Sequence, residues 1–402
     1  VSPALDQFRT PVAKYYAYIV TAYASFSAPI WILFVRAQGL SFGQVGVLNS
    51  IWWFGLVVSE IPTGYLGDRL GRRNAMLVGT GIITVATFAM GLSSTFPQLA
   101  VVYGLWAVGQ TFRTGSDDAW LYDLLAETRE TGLYSRVRGR AHGLGLAVGA
   151  VAALAGGVVA DVSLRYPFFI TSLFTALGIP VLLTVPVVDD DAPLFTLGAA
   201  VRVIRDRLAR PPLRAFVAYF ALLFGVVGMM YIFEQPVILD AATRLGVPES
   251  AGKSAVGAVY AALTLVSAVA SYNVERIEGW LGIRGWFLVA PVLVAGLFVS
   301  LGLAPLAGIP SVVAAVPVFF VARAVITASM TLGNQYVNDH VESFGRATTL
   351  SAASMVYSLA VIPFEISGGV LADLLSPTDA LAVFGVVFLV VGGAIWAVGD
   401  PL

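Results

Sequence analysis

The sequence predicts an all-α membrane protein of twelve transmembrane helices, arranged as two pseudo-symmetric six-helix bundles. Three observations carry that reading. The chain of 402 residues is 58% hydrophobic and only 12% charged, with a mean hydropathy of +0.85. A soluble domain carries about 25% charged residues. Apolar runs of roughly 20 residues, long enough for a hydrocarbon core of about 30 Å, recur along the whole chain. Short motifs in the first half return in the same order in the second.

The expected spans lie near residues 13–35, 43–66, 74–93, 97–125, 137–160, 165–186, 213–240, 252–274, 285–304, 310–337, 346–372 and 379–398. The start of the chain lacks the short apolar segment and small-residue site of a cleavable leader. The arginines orient the spans. Arg69, Arg72, Arg73, Arg129, Arg136, Arg138, Arg140, Arg202, Arg205, Arg207 and Arg210 all fall on one side, whereas the other side holds Arg36, Arg165, Arg244 and Lys253. The positive-inside bias then places both termini in the cytoplasm of a multi-pass protein of the cell membrane. Residues 1–186 form the first bundle and 213–402 the second. The linker, 187–212, opens with Asp189, Asp190 and Asp191. It continues with Leu197, Val201, Ile204 and Leu208 at helical spacing among arginines. It reads as an amphipathic helix lying on the membrane surface, or alternatively as a solvated linker.

The repeat supports two equivalent bundles. Phe26 and Pro29 of span 1 recur as Phe233 and Pro236 of span 7, and Tyr65, Asp68 and Arg69 recur as Tyr272, Glu275 and Arg276. Ala119 to Asp123 lines up with Gln335 to Asp339. Gly156-Gly157-Val158-Val159-Ala160-Asp161 returns as Gly368-Gly369-Val370-Leu371-Ala372-Asp373. A parallel repeat of this kind places a binding site near the bilayer midplane.

Between spans 2 and 3 the chain reads Gly64-Tyr65-Leu66-Gly67-Asp68-Arg69-Leu70-Gly71-Arg72-Arg73. Its glycines permit a sharp turn and close helix approach, and its arginines mark the turn as cytoplasmic. This stretch resembles the signature loop of the major facilitator superfamily of secondary transporters. With the duplicated halves and central linker, the resemblance covers the whole chain. It implies the major facilitator fold, alternating access around a central site, and a gating role for Gly64, Asp68, Arg69, Gly71, Arg72 and Arg73. Asp68 and its arginines would latch the inner side of the outward-open state. The second copy, around Glu275 and Arg276, lacks the double arginine.

Charge inside a membrane is expensive and needs a partner or a purpose. Glu60, Asp117, Asp118, Glu234 and Glu365 are the candidate proton-coupling acids. Arg113 and Arg323, with Glu234 and the span-1 aromatics Tyr23 and Phe26, are the candidate substrate-binding residues. On one continuous helix, Arg113 and Asp117 are one turn apart, which predicts an ion pair between them. Asp118 then points elsewhere and needs another partner. Pro236 and Pro363 bend spans 7 and 11 beside Glu234 and Glu365. In span 5, Gly145, Gly149, Ala153 and Gly157 make a ridge of small residues, expected to face the other bundle.

These features predict proton-coupled export of small organic compounds, amphiphilic or cationic, because acids outnumber arginines at mid-membrane. The alternative is proton- or sodium-coupled uptake of an organic anion or other metabolite, with an arginine holding its carboxylate. A non-transporting membrane sensor is the alternative of another class. Ala152-Ala153 stands where proton-coupled antiporters of the resembled superfamily usually carry Gly-Pro, which departs from that branch. No enzyme is expected: His142 and His340 are far apart, and no nucleophile motif or phosphate loop occurs. No cofactor and no metal site are expected, and a chain without cysteine has no disulfide. The expected partners are a small-molecule substrate, a coupling ion and the lipid bilayer, not nucleic acid, with the protein as a monomer.

Overall fold

The computed structural model describes residues 3–114, 116–127, 130–187, 202, 206, 208, 211, 213–341 and 346–402, and leaves the side chains of residues 3–10, 68 and 346–348 outside that description. The described residues are helical almost throughout. In chain order the helices are α1 (Pro3–Tyr23), α2 (Trp31–Ala37), α3 (Phe42–Leu70), α4 (Arg72–Leu92), α5 (Phe96–Arg113), α6 (Ser116–Glu127), α7 (Tyr134–Val162), α8 (Tyr166–Leu183), α9 (Leu213–Arg244), α10 (Gly252–Tyr272), α11 (Val274–Leu303), α12 (Ser311–Asp339), α13 (Arg346–Leu374) and α14 (Pro377–Gly399). Ten uninterrupted helical segments among the described residues are long and apolar enough to cross a membrane. The pairs α1–α2 and α5–α6 complete the twelve spans of a multi-pass protein.

Those two pairs correct the sequence reading, which ran spans 1 and 4 as single helices. Span 1 is interrupted between Tyr23 and Trp31, and span 4 after Arg113. The first break holds Ser25, Ser27 and Pro29. A proline cannot donate its amide and frees a carbonyl one turn back. The second follows Thr114, a residue type whose side chain competes with a helix for backbone hydrogen bonds. The linker helix expected within 187–212 lies outside the described residues, apart from Val187 and four isolated positions.

The chain gathers into two compact units. The first comprises Val1–Trp31 with Gly55–Phe195, and the second Ile32–Phe54 with Thr196–Leu402. Helix α3 is therefore divided at Phe54–Gly55, its first half belonging to the second unit.

In the first unit, α4 packs on α5 and α8, and α1 packs on α7 and α8. Tyr15, Tyr18, Ile19, Trp120, Leu121 and Leu124 share one buried cluster, in which the Tyr15 and Trp120 rings stack 5.9 Å apart. Within this unit α7 lies against α1, with its glycines at the contact. Gly145 sits under the Tyr23 ring and Gly149 near the Tyr23 carbonyl. Gly156 approaches the Phe26 backbone so closely that a Cβ there would collide with its carbonyl. The ridge thus seats the broken part of span 1.

In the second unit α9 is the central helix, packed by α12, α13 and α14. It is apolar on all sides, as a helix surrounded by other helices must be. Phe216, Phe220 and Phe287 pack edge to face across α9 and α11, and the Tyr219 hydroxyl donates to the Phe287 carbonyl at 2.8 Å. Helix α11 is kinked at Gly282, whose φ of 63° only glycine adopts readily. The apolar run of span 9 begins just beyond this kink.

Candidate functional site

Both breaks open on one cavity. Within the first unit, a space of about 500 Å³ is lined by Tyr23, Ser25 and Ser27 of the span-1 break, and by Trp106, Gln110, Arg113, Thr114, Asp117 and Asp118 around the span-4 break. Helix α4 adds Ile83 and Thr87, and α8 adds Thr171 and Thr175. Irregular backbone at membrane depth is tolerated where it is buried in protein or lines a cavity. The Ser27 amide, released from helix, donates to the Thr171 hydroxyl at 3.0 Å.

Arg113 ends α5 at this cavity. Its Nε donates to the Tyr18 hydroxyl at 3.0 Å, and its guanidinium lies 5.6 Å from the Tyr18 ring centroid. Neither terminal nitrogen hydrogen-bonds a described residue. The expected Arg113–Asp117 ion pair is not formed. Because the helix is interrupted between them, the one-turn register that would bring them together is lost. Asp117 instead starts α6, where its Oδ1 accepts from the Asp118 amide at 2.9 Å and the helix N-terminus favours negative charge. Asp118 finds its partner on α7: Arg138 Nε and Nη2 donate to its two carboxylate oxygens, each at 2.7 Å. Tyr23 lines the cavity, whereas Phe26 turns its ring onto Phe174, 5.1 Å away. Glu60 lies on α3 and is not among the cavity-lining residues.

The second unit holds buried charged residues of its own. Arg323 of α12 makes a two-point pair with Glu234 of α9, Nε to Oε1 at 2.8 Å and Nη2 to Oε2 at 2.6 Å. Tyr231 and Tyr260 flank the guanidinium, with ring centroids 4.0 and 5.5 Å away. Gln235, the next residue on α9, accepts from the Ile32 amide at 2.8 Å. Glu365 of α13 is 1% exposed. Its Oε1 accepts from Asn49 Nδ2 and from Trp53 Nε1, the latter at 3.1 Å. Among the described residues, no basic side chain pairs with it.

The Major Facilitator Superfamily family model matches residues 15–364. The chain belongs to the Major Facilitator Superfamily. Membership supports a role in transport and not in catalysis. Curated relatives are themselves uncharacterised MFS-type transporters. YxaM of Bacillus subtilis (strain 168) is 27% identical over 25% of this chain and 26% of its own. MJ1560 of Methanocaldococcus jannaschii is 25% identical over 36% of each. The matched stretches thus span about a quarter to a third of these relatives. Solved structures share the fold over nearly the full length. The nucleoside transporter NupG superposes with a TM-score of 0.78 at 13% identity, covering 96% of this chain and 97% of that one. A POT family transporter in complex with 5-aminolevulinic acid gives 0.74 at 13% identity, covering 97% and 96%. A D-xylose–proton symporter gives 0.68 at 14%, covering 98% and 97%.

The superfamily loop between spans 2 and 3 is compact. Helix α3 continues to Leu70, Gly71 turns with φ 79°, and α4 starts at Arg72. No described residue lies within 4 Å of a Cβ built on Gly64. Arg69 stacks on its neighbour Tyr65 at 4.4 Å. Arg72 approaches Asp123 at the end of α6, Nε to Oδ2 at 3.8 Å, and Arg73 donates to the Val185 carbonyl at 3.4 Å. The Asp68 side chain is outside the described residues.

Several of these residues escaped the sequence reading. Tyr18 and Arg138 were hidden because their partners come from distant helices. Asn49 and Trp53 carry a local signal, an amide and an indole four residues apart in an apolar run and therefore on one helix face.

Proposed function

We propose that this chain is a proton-coupled transporter of a small polar organic solute, one that presents an acceptor group to Arg113 and a donor group to Asp117. The observation that carries the reading is Arg113, which lines the cavity while its terminal guanidinium nitrogens have no acceptor among the described residues. A guanidinium fork in a partly dry cavity binds a carboxylate or similar group at two points. Ser25, Thr87, Gln110, Thr171 and Thr175 supply further hydrogen-bonding groups on the same walls. The fold accommodates proton coupling, since a D-xylose–proton symporter shares it.

A second reading is export of an amphiphilic cation, favoured by Asp117 together with Tyr23 and Trp106 in the same cavity. The case for it from an excess of acids weakens, because Arg138 neutralises Asp118 and Arg323 neutralises Glu234. Under either reading the two bundles rock by alternating access, the Asp68 loop gates the cytoplasmic side, and the protein works as a monomer in the cell membrane with both termini inside.

Transport into proteoliposomes under an imposed pH gradient tests this. A panel of zwitterions, organic anions, polar neutral solutes and lipophilic cations is compared in the wild type, Arg113→Gln and Asp117→Asn. Proton-driven movement of a polar solute, lost in Arg113→Gln, is the expected result. Movement of lipophilic cations alone, abolished by Asp117→Asn and untouched by Arg113→Gln, selects the export reading instead.

A further inference from the structure

Glu365 is not among the cavity-lining residues, yet among the described residues it is a fully buried acid without a counter-charge. It sits in the seam where the first half of α3, Phe42–Phe54, lies along α13. Both stretches belong to the second unit. The seam is made close by glycine. A Cβ on Gly46 would strike the Glu365 carbonyl, and one on Gly369 would strike the Phe42 carbonyl. At one end of the seam Asp373 accepts from the Phe42 and Gly43 amides, both at 2.8 Å, and so caps the first turn of α3. Two turns along α13, Glu365 Oε1 accepts from both Asn49 and Trp53. Its other oxygen, Oε2, is buried with no partner among the described residues.

The charged groups on the other helices of this unit are engaged elsewhere. Glu234 of α9 and Arg323 of α12 close on each other. Asp240 and Arg244 pair along α9. Asp379 of α14 bonds Ser376. Arg36 of α2 donates to the Leu40 carbonyl and covers the Phe42 ring. Tyr357, two turns before Glu365 on α13, keeps a buried hydroxyl with no partner among the described residues and packs on Phe220. Nothing here neutralises a carboxylate at position 365. An ionised carboxylate enclosed without a counter-charge is strongly disfavoured, whereas a neutral acid accepting two hydrogen bonds is tolerated.

We propose that Glu365 is a proton-binding site that fastens the first half of α3 to α13, closed when the carboxyl is protonated and opened when its O–H bond breaks and the proton leaves to water. Loss of the proton places a charge on an oxygen the seam leaves bare, and water must enter to solvate it. The α3 segment then parts from α13, with the Asp373 cap as the hinge end of the seam. This deepens the proton coupling proposed above and assigns it a residue away from the solute cavity.

The chain has no cysteine, so spin labels can be placed cleanly at Phe54→Cys and Leu359→Cys, both exposed positions at the end of the seam away from the Asp373 hinge. Their separation is measured by pulsed electron resonance, without solute, from acidic to alkaline buffer. The expected result is one short distance in acid, a growing longer population in alkali, and a short distance at every pH in Glu365→Gln, which keeps the shape and removes the titration. Infrared difference spectra give a second readout: a protonated-carboxyl band lost on alkalinisation, and absent in Glu365→Gln. A distance independent of pH in the wild type overturns the proposal, as does a pH response that survives in Glu365→Gln. Failure of every solute in the transport panel would instead count against the cavity reading and leave this measurement unaffected.

Discussion

Arg323 and Glu234 close on each other through two parallel hydrogen bonds, with the guanidinium 4.0 Å from the Tyr231 ring centroid. Glu234 is 1% exposed and Arg323 16%, so the pair is desolvated, and removing one partner strands a buried charge. Arg323→Gln should therefore destabilise the protein by about 3–5 kcal/mol. The double replacement Glu234→Leu with Arg323→Met should cost less than either single change. Thermal unfolding in detergent of the two single variants and the double variant reads this directly. A double variant as unstable as the sum of the singles would deny that the residues act as a pair.

Arg113→Lys keeps the charge at the cavity and removes the fork. If Arg113 holds the solute at two points, KM should rise about tenfold with little change in kcat, since a lysine binds only as a point charge. Initial-rate transport with a solute identified in the panel measures this split. An unchanged KM would move the binding role off Arg113.

Gly156 seats the span-1 break because α7 can approach the Phe26 backbone there without a side chain. Gly156→Val should push the two elements apart, at a cost of about 1–3 kcal/mol in stability. The same change at Gly104, which has open space around it, should cost far less. Melting temperatures of the two variants provide the comparison.

Gly71 turns between α3 and α4 at φ 79° and ψ 151°, a region nearly closed to other residues. Gly71→Ala should cost about 1–3 kcal/mol, although no described residue lies within 4 Å of the added methyl group. A fall in melting temperature would then report backbone strain and not a clash.

Arg138 and Asp118 are a weaker pair than their geometry suggests, because their side chains are 55% and 36% exposed. Arg138→Gln should change stability by no more than about 1 kcal/mol. A larger loss would mean the pair is shielded from solvent.

The spans were legible because hydropathy and charge act over windows of about 20 residues, and both survive local irregularity. The breaks were not, since the apolar character of span 1 runs straight through Ala24 to Ile30. Pro29 and the Thr114-Gly115-Ser116 stretch were the available signals. Missing the second break produced the wrong partner for Arg113, since an intact helix puts Asp117 one turn away and an interrupted one does not. The Glu234–Arg323 pair was half visible: each residue was recognised as costly in a membrane, but helices far apart in sequence give no register from which to match them. The glycine ridge of α7 was read as a close-packing face, and Gly145 and Gly149 pack on Tyr23 of their own unit. Spacing shows that a helix approaches something closely, not what it approaches.

The interruption of span 1 has a consequence for how selectivity can be dissected. Ser25 and Ser27 line the cavity from non-helical backbone, and the Ser27 amide has left helix to meet a side chain. Peptide dipoles freed in this way are part of the walls, yet they belong to no side chain. Substituting each lining residue in turn would leave them in place and credit the cavity's preferences to hydroxyls and charges alone. Replacing single amides by esters through semisynthesis would weaken those dipoles one at a time and expose the share of recognition written in the backbone.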